Sequence, residues 1–251
     1  FKLDKNLKVL WKLNIYEKGE KKIGPKINFA ENKGILVAFD NIANFFSLRM
    51  SDGKLLWKKK HSSSFNSQVK IYKNKIYVID LEDTLKCYSL KDGEELWSYK
   101  SETNFIKSTN KTSLIIADDK VIFINSLGDL NALDINNGNL IWQTPTQNNP
   151  IYEDAFSIIY SDIINDRNNV YFSNNKNEMF SIKIKNGAVN WVNRISSTLK
   201  PTAIDKLIFT ISSNGFLVII NKINGKIIRA TNFADELKIF NNKKKPKING
   251  F

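Results

Sequence analysis

The sequence contains very little of the chemistry that active sites commonly use. Cys87 is its only cysteine, so neither an intramolecular disulfide nor a zinc cluster of several cysteines can form. His61 is its only histidine, no Gly-x-Ser-x-Gly element accompanies it, and no Asp-x-Asp-x-Asp-Gly calcium loop occurs. We therefore predict a protein that is not an enzyme, without a metal site or a cofactor. We expect His61 to be a loop residue whose replacement by alanine is nearly silent.

Long apolar runs are also missing. No stretch of about 18 apolar residues is present, so no membrane-spanning helix is predicted. The chain begins Phe1-Lys2-Leu3-Asp4, without a charged and then apolar leader. An exported protein whose signal peptide has been removed fits this start as well as a trimmed chain does.

Charge is strongly one-sided. The formal net charge of +13 raises nucleic acid, an anionic membrane surface and an acidic protein as partners. Lysine, asparagine, isoleucine and phenylalanine are abundant together, which is the bias of an AT-rich genome and raises the charge without selection for phosphate binding. We therefore expect no nucleic-acid partner and keep nucleic-acid binding as a minor alternative.

A repeat of 40 to 50 residues organises the chain. In four copies a glycine is followed four residues later by tryptophan, and in the fifth copy arginine replaces the tryptophan. The pairs are Gly53 and Trp57, Gly93 and Trp97, Gly138 and Trp142, Gly187 and Trp191, and Gly225 and Arg229. The spacings between successive glycines are 40, 45, 49 and 38 residues, which indicates structural units joined by loops of variable length.

Each repeat has the same interior. Seventeen residues before the glycine begins a β-branched and aromatic run, such as Val121-Ile122-Phe123-Ile124, which is typical of a strand buried on both faces. A polar turn and a second strand follow. This strand carries a mostly small residue before a larger apolar one, and the first members of these pairs are Ser47, Cys87, Ala132, Ser181 and Ile219. An Asp-Gly or Asn-Gly dipeptide then predicts a two-residue hairpin before the strand that contains the tryptophan.

This pattern predicts an all-β protein made of antiparallel meanders. Sheets that are apolar on both faces must stack on one another, and a β-propeller of four-stranded blades achieves this stacking. A β-sandwich would show apolar and polar residues alternating along most strands, and the buried runs do not alternate.

The best-formed copy, residues 128–142, reads Gly-Asp-Leu-Asn-Ala-Leu-Asp-Ile-Asn-Asn-Gly-Asn-Leu-Ile-Trp. It resembles the quinoprotein-type (PQQ-like) propeller repeat, in which a Gly-x-Leu-x-Ala-Leu-Asp segment precedes a Thr-Gly or Asn-Gly turn and an apolar-Trp pair. The resemblance extends over residues 34–231. The aspartate at position 134 is replaced by Arg49, Ser89, Lys183 and Asn221 in the other copies, so it carries no common chemistry.

The resemblance implies one of two branches. One branch comprises dehydrogenases that bind pyrroloquinoline quinone and calcium, in which adjacent cysteines lie beside the quinone; this chain has one cysteine. The other comprises non-catalytic BamB-like lipoproteins of the bacterial outer-membrane β-barrel assembly machinery. The second branch implies a scaffold in the periplasm at the outer membrane, bound to the barrel-insertase (BamA-like) subunit. Membrane association would then require a lipid anchor that this sequence does not contain. A quinoprotein oxidoreductase is the first alternative, and a basic propeller that binds nucleic acid is the second.

The whole chain, residues 1–251, is expected to be one propeller domain. Residues 1–31 would form a closing strand and lead-in, residues 32–232 the five repeats, and residues 233–251 the start of a further blade. Five blades of a parent with seven or eight would give an open arc. The closing strand, Val9-Leu10-Trp11, would complete a blade that the C-terminal end of the chain forms.

Two sets of candidate functional residues follow from the repeat. By resemblance, a tryptophan that recurs once per blade docks between adjacent blades; the residues at this position are Trp11, Trp57, Trp97, Trp142 and Trp191. Two connections between consecutive repeats, residues 101–113 and 150–166, contain both apolar and charged residues. Because such loops are displayed on the surface, we predict that they neighbour each other on one rim and bind the partner there. The candidates are Phe105, Ile106, Lys107, Tyr152, Glu153, Asp154 and Phe156. Residues 157–164 could alternatively be a longer innermost strand.

Overall fold

The computed structural model describes residues 1–102, 111–147 and 158–232. In these ranges the chain forms strands and one short helix. It divides into two compact units, residues 1–112 and 113–251, and each is described by itself. In the described ranges no helix has both the length and the apolar character needed to cross a membrane.

The first unit contains a two-stranded sheet, a helix and two four-stranded antiparallel sheets, which we call blades 1 and 2. The first sheet pairs β1 (Lys2–Leu3) with β2 (Val9–Trp11), and α1 (Lys18–Ile23) follows. The strands of blade 1 are β3 (Ile27–Asn32), β4 (Ile35–Asp40), β5 (Asn44–Arg49) and β6 (Leu55–Lys60). The strands of blade 2 are β7 (Lys70–Tyr72), β8 (Lys75–Ile79), β9 (Thr84–Ser89) and β10 (Glu95–Lys100).

The second unit contains blades 3, 4 and 5. The strands of blade 3 are β11 (Leu114–Ala117), β12 (Lys120–Ile124), β13 (Asp129–Asp134) and β14 (Leu140–Pro145). The strands of blade 4 are β15 (Ile164–Asp166), β16 (Asn169–Ser173), β17 (Met179–Lys183) and β18 (Val189–Asn193). The strands of blade 5 are β19 (Thr202–Ile204), β20 (Leu207–Ile211), β21 (Phe216–Asn221) and β22 (Ile227–Asn232). Every blade is an antiparallel meander in sequence order, which confirms the predicted all-β blades.

The apolar cores lie between neighbouring blades. In the first unit, Val37, Phe39 and Phe45 of blade 1 form a cluster with residues of blade 2 such as Ile76 and Tyr88. In the second unit, blade 3 packs on blade 4 and blade 4 on blade 5 in the same way. The second strands of blades 1 to 4 are buried on both faces, as their continuous apolar runs predict.

The Asp-Gly and Asn-Gly turns differ from the predicted two-residue hairpin. In blade 1 the turn is longer, because Gly53 N donates to Arg49 O at 2.8 Å and Arg49 N donates to Lys54 O at 2.9 Å. Only the glycine has positive φ, at 73°. The Asp52 carboxylate instead accepts a hydrogen bond from Lys54 N at 3.0 Å, so the acid stabilises the turn without entering the left-handed region.

Candidate partner-binding edge

In blades 1 to 4, one edge carries both the turn between the second and third strands and the connection to the next blade. We call this the connection edge. The predicted partner-binding residues belong to two of its connections, β10 to β11 and β14 to β15. The seven candidates all lie outside the described residues, in the ranges 103–110 and 148–157, so their contacts stay predictions. The described residues nevertheless define how these connections are anchored.

A buried Asp or Asn stabilises the second turn of blades 1 to 4. Its side-chain oxygen accepts two main-chain hydrogen bonds from the turn: Asp80 accepts from Glu82 N at 2.8 Å and from Thr84 N at 3.0 Å. The equivalent residues of the other three blades are Asp40, Asn125 and Asn174. Within each unit, two bonded turns of this geometry give the connection edge of its blades a rigid base.

Sequence reasoning missed this set of residues, although a signal was present. Asp40, Asp80, Asn125 and Asn174 each lie thirteen residues before the repeat glycine, and Ser212 takes the same place in blade 5. The Ser212 hydroxyl accepts from Phe216 N at 3.2 Å. A polar residue directly after a buried apolar strand, at constant spacing, predicts a side chain that bonds the following turn.

The first connection is anchored at both ends within the first unit. Ser101 is buried, and its hydroxyl donates to Asp83 O at 3.1 Å in the second turn of blade 2. At the other end Thr112 N donates to Asn66 O at 2.7 Å, and Gln68 N donates to Thr112 O at 3.2 Å. Ser101 and Thr112, which flank the range 103–110, are therefore both held by hydrogen bonds within the first unit.

The second connection is anchored within the second unit. Thr146 N donates to Gly128 O at 3.2 Å, and the Thr146 hydroxyl donates to the Tyr160 hydroxyl at 3.3 Å. Tyr160 packs against Phe172, and its burial raises the pKa of its hydroxyl. Ile159 N donates to Asn175 Oδ1 at 2.9 Å. Thr146 and Tyr160, which flank the range 148–157, are thus held together beside the second turn of blade 3.

The alternative of a longer innermost strand over residues 157–164 is wrong for the part that the structure describes. Tyr160 forms an isolated bridge with Asn174, and the strand β15 begins only at Ile164. Between them, Ser161 N donates to Ser173 O at 2.8 Å and Ile163 N donates to Ser113 Oγ at 2.9 Å, without a continuous strand ladder.

Four of the five repeat tryptophans form a hydrogen bond to the following blade. The indole Nε1 atoms donate to main-chain oxygens of the following blade, with these pairs: Trp11 to Met50 at 3.0 Å, Trp57 to Leu90 at 3.1 Å, Trp142 to Ile184 at 3.0 Å and Trp191 to Lys222 at 3.1 Å. Trp97 has the equivalent place in its own blade, opposite Cys87. The indoles are partly exposed rather than fully buried, because they lie on the outermost strand of each blade, where burial alternates.

His61 contributes more to the packing between blades 1 and 2 than the sequence predicts. It lies in the connection between blades 1 and 2, as expected, but its ring packs 5.5 Å from Phe45, 5.0 Å from Phe65 and 5.1 Å from Tyr88, measured between centroids. Burial, reinforced by the Lys86 ammonium group, lowers the pKa of His61. The expectation that its loss is nearly silent does not fit this packing, because a loop position does not imply an exposed side chain.

The described residues do not fit pyrroloquinoline quinone and its calcium ion. Among them no group of three or more His, Cys, Asp and Glu side chains could hold a metal ion. Cys87 is buried, and burial raises the pKa of its thiol to about 11. The Trp57, Trp142 and Trp191 rings each approach a glycine of the next blade closely.

Comparison with known proteins agrees with this architecture. The best-matching structures include BamB from Moraxella catarrhalis, with a TM-score of 0.68 and 17% identity over 82% of this chain and 63% of that one. The chain therefore spans less than two thirds of that protein. A quinohemoprotein alcohol dehydrogenase from Pseudomonas putida HK5 gives a TM-score of 0.62 and 16% identity over 81% of this chain and 41% of that one. A europium-containing methanol dehydrogenase gives 0.64 and 13%, over 81% and 50%.

At these identities the solved structures establish the fold alone. A search among curated protein sequences found no match. A family profile described as outer membrane protein assembly factor BamB matches residues 3–231, which is nearly the whole chain and covers all five blades. The chain is therefore a β-propeller protein that belongs to the BamB family.

Proposed function

We propose that this chain is a non-catalytic scaffold of the bacterial outer-membrane β-barrel assembly machinery that binds the barrel-insertase (BamA-like) subunit. The observation that carries the proposal is the BamB family match over residues 3–231. Such a scaffold works in the periplasm at the outer membrane, where a lipid anchor would hold it. The similarity to quinoprotein dehydrogenases concerns the blades, which both kinds of protein share.

The geometry of the connection edge supports a role in binding. Residues 103–110 and 148–157 are each flanked by main chain that is hydrogen-bonded to a neighbouring turn. Interfaces concentrate their energy in a few aromatic, aliphatic and charged anchors, and a rigid base lowers the entropy lost when a loop binds. We assign the anchors to these two segments, and they are Phe105, Ile106, Lys107, Tyr152, Glu153, Asp154 and Phe156.

A pull-down with the purified insertase subunit tests the proposal. Phe105→Ala combined with Asp154→Lys is expected to abolish capture while the thermal melt stays within a few degrees of the wild type. The matched control is Phe29→Ala combined with Asp205→Lys, which makes the same chemical changes at exposed residues of β3 and of the turn between β19 and β20. Full capture of the first variant, or equal loss in the control, contradicts the assigned site.

The non-catalytic part of the proposal has its own test. Titration of the chain with pyrroloquinoline quinone in the presence of calcium, followed by absorbance and by dye reduction with alcohols, is expected to give neither saturable binding nor turnover. Saturable quinone binding with alcohol-dependent dye reduction would identify an oxidoreductase instead.

A further inference from the structure

The proposed scaffold function does not use a second surface of the chain. A cavity of about 640 Å³ opens on the edge of the second unit opposite to its connection edge, among the turns of blades 3, 4 and 5. Five cationic side chains line it, against two carboxylates; the cations are Lys120, Arg167, Lys183, Lys185 and Lys222. We call this the basic cavity.

Most of this positive charge is not neutralised by the residues that the structure describes. Lys222 is paired with Asp166, and the Lys120 ammonium donates to the main-chain oxygen of Asp118 at 3.2 Å. Over the described part of the chain, Arg167, Lys183 and Lys185 have neither a carboxylate within ion-pairing distance nor a side-chain hydrogen bond. Three cations therefore line one cavity without a charged or hydrogen-bonding side-chain partner among the described residues.

An ordered polar wall lies beside these cations. Asn190 Nδ2 donates to Asn169 Oδ1 at 2.9 Å and to Ser181 Oγ at 3.1 Å. Asn169 Nδ2 in turn donates to the Tyr171 hydroxyl at 3.3 Å. These bonds cross between the second, third and fourth strands of blade 4, so the amides are held in place by the sheet.

We propose that the basic cavity binds a phosphate-bearing group. Arg167 can present its guanidinium fork to two phosphate oxygens, while Lys183 and Lys185 act as point charges, and charge-assisted bonds of this kind are among the strongest in proteins. The net charge of the lining is +3, which matches a doubly or triply charged phosphate better than a single carboxylate. A cavity of this size fits a small phosphorylated molecule or one lipid headgroup.

The test uses the full chain with two probes at about 0.15 M salt, where exposed charges are largely screened. Pyrophosphate binding is measured by calorimetry, and binding to phosphatidylglycerol vesicles is measured by flotation against phosphatidylcholine vesicles. The test variant is Arg167→Gln with Lys185→Gln. Its matched control is Arg194→Gln with Lys200→Gln, which removes the same two charges from exposed residues of the connection between β18 and β19, at the other edge of blade 4.

We expect saturable pyrophosphate binding that weakens at least about tenfold in the test variant, since two charge-assisted bonds are lost, and that is unchanged in the control. Vesicle binding with the same dependence on Arg167 and Lys185 identifies the source as a lipid headgroup, and its absence identifies a soluble phosphate compound. Absence of binding to both probes, or equal losses in the two variants, overturns the proposal. Tight binding of a single-stranded RNA to the chain, with no competition from either pyrophosphate or the vesicles, would also overturn the proposal. None of these results bears on capture of the insertase, so the two proposals can fail separately.

Discussion

Ser181 lies directly opposite Trp191 on the paired third and fourth strands of blade 4. The same pairing of a small residue with tryptophan recurs in the other three blades that carry the tryptophan: Ser47 with Trp57, Cys87 with Trp97 and Ala132 with Trp142. In blade 5 the pair is Ile219 with Arg229. The small side chain leaves room on the sheet for the indole, and where the indole is missing a larger side chain occupies the space.

This relationship predicts the effect of filling the space. Ala132 is buried, so Ala132→Leu must displace Trp142 or its own strand, and we expect a loss of about 1 to 3 kcal/mol in the free energy of unfolding. Ala132→Ser should be nearly neutral, because serine occupies the same place in blades 1 and 4. Urea unfolding measures both variants, and a leucine variant as stable as the serine variant would contradict the pairing.

The close approach of the Trp11 ring to Gly53 predicts that an alanine at position 53 destabilises the protein. A Cβ atom on Gly53 would lie 2.7 Å from the Trp11 ring, whereas one on Gly34 would have nothing within 4 Å, and both glycines have positive φ, at 73° and 79°. Gly34→Ala therefore costs only the backbone strain, about 1 kcal/mol. Gly53→Ala should cost more and should also shift the fluorescence of Trp11. Equal midpoints of urea unfolding would mean that the indole does not dock there.

The repeat made most of the blade architecture predictable. Apolar runs such as Val121 to Ile124 have the composition of strands buried on both faces, and the glycine spacing sets the length of a blade. The longer turn at Gly53 was not predictable from the Asp-Gly dipeptide, because the same dipeptide suits a two-residue hairpin when the flanking strands are in another register. The helix over residues 18–23 was also not expected, since it has no apolar periodicity.

His61 predicts a dependence of stability on pH. Burial and the nearby Lys86 lower the pKa of His61 below its usual 6.5, although Glu95 and Asp80 oppose this shift. The unfolded chain then binds a proton near pH 6.5 that the folded chain does not bind until a lower pH. The contribution of His61 to the free energy of unfolding is therefore fully present above pH 6.5, and it is lost as the pH decreases below that value.

His61→Phe keeps an aromatic ring in the cluster but cannot titrate. Between about pH 7 and pH 5, a range above the usual titration of most carboxyl groups, the urea midpoint of the wild type should fall more than that of the variant. Parallel pH profiles would show that His61 is solvated.

Trp191 tests the docking of one blade on the next. Trp191→Ala removes both the ring and the bond to Lys222 O, and we expect a loss of about 2 to 4 kcal/mol, because the ring is only partly buried. Trp191→Phe keeps most of the packing and loses the bond, which is worth about 1 kcal/mol. Val192→Ala, at the exposed neighbouring position, should change stability by less than about 0.5 kcal/mol. A variant series without this order, measured by urea unfolding, would contradict the docking.

The candidate sites were less predictable than the blades, for a reason that the basic cavity illustrates. Lys120 begins β12, Arg167 and Lys185 lie in two turns of blade 4, and only the stacking of blades 3 and 4 brings the three together. In a chain with a net charge of +13, no single lysine stands out in the sequence. The hydrogen bonds that hold the second connection were equally hard to predict, because Gly128, Thr146 and Tyr160 belong to three separate segments of the sequence.

Photo-crosslinking from the connection edge tests the proposed scaffold function most directly. A photoreactive phenylalanine analogue would replace Phe105 or Phe156, and for comparison Phe29, which is 69% exposed on β3. The protein would be irradiated in intact cells and the adducts identified by mass spectrometry. We predict adducts with the barrel-insertase subunit from positions 105 and 156 and none from position 29. No insertase adduct from either position, or adducts of equal yield from position 29, would contradict the claim that these connections bind that subunit.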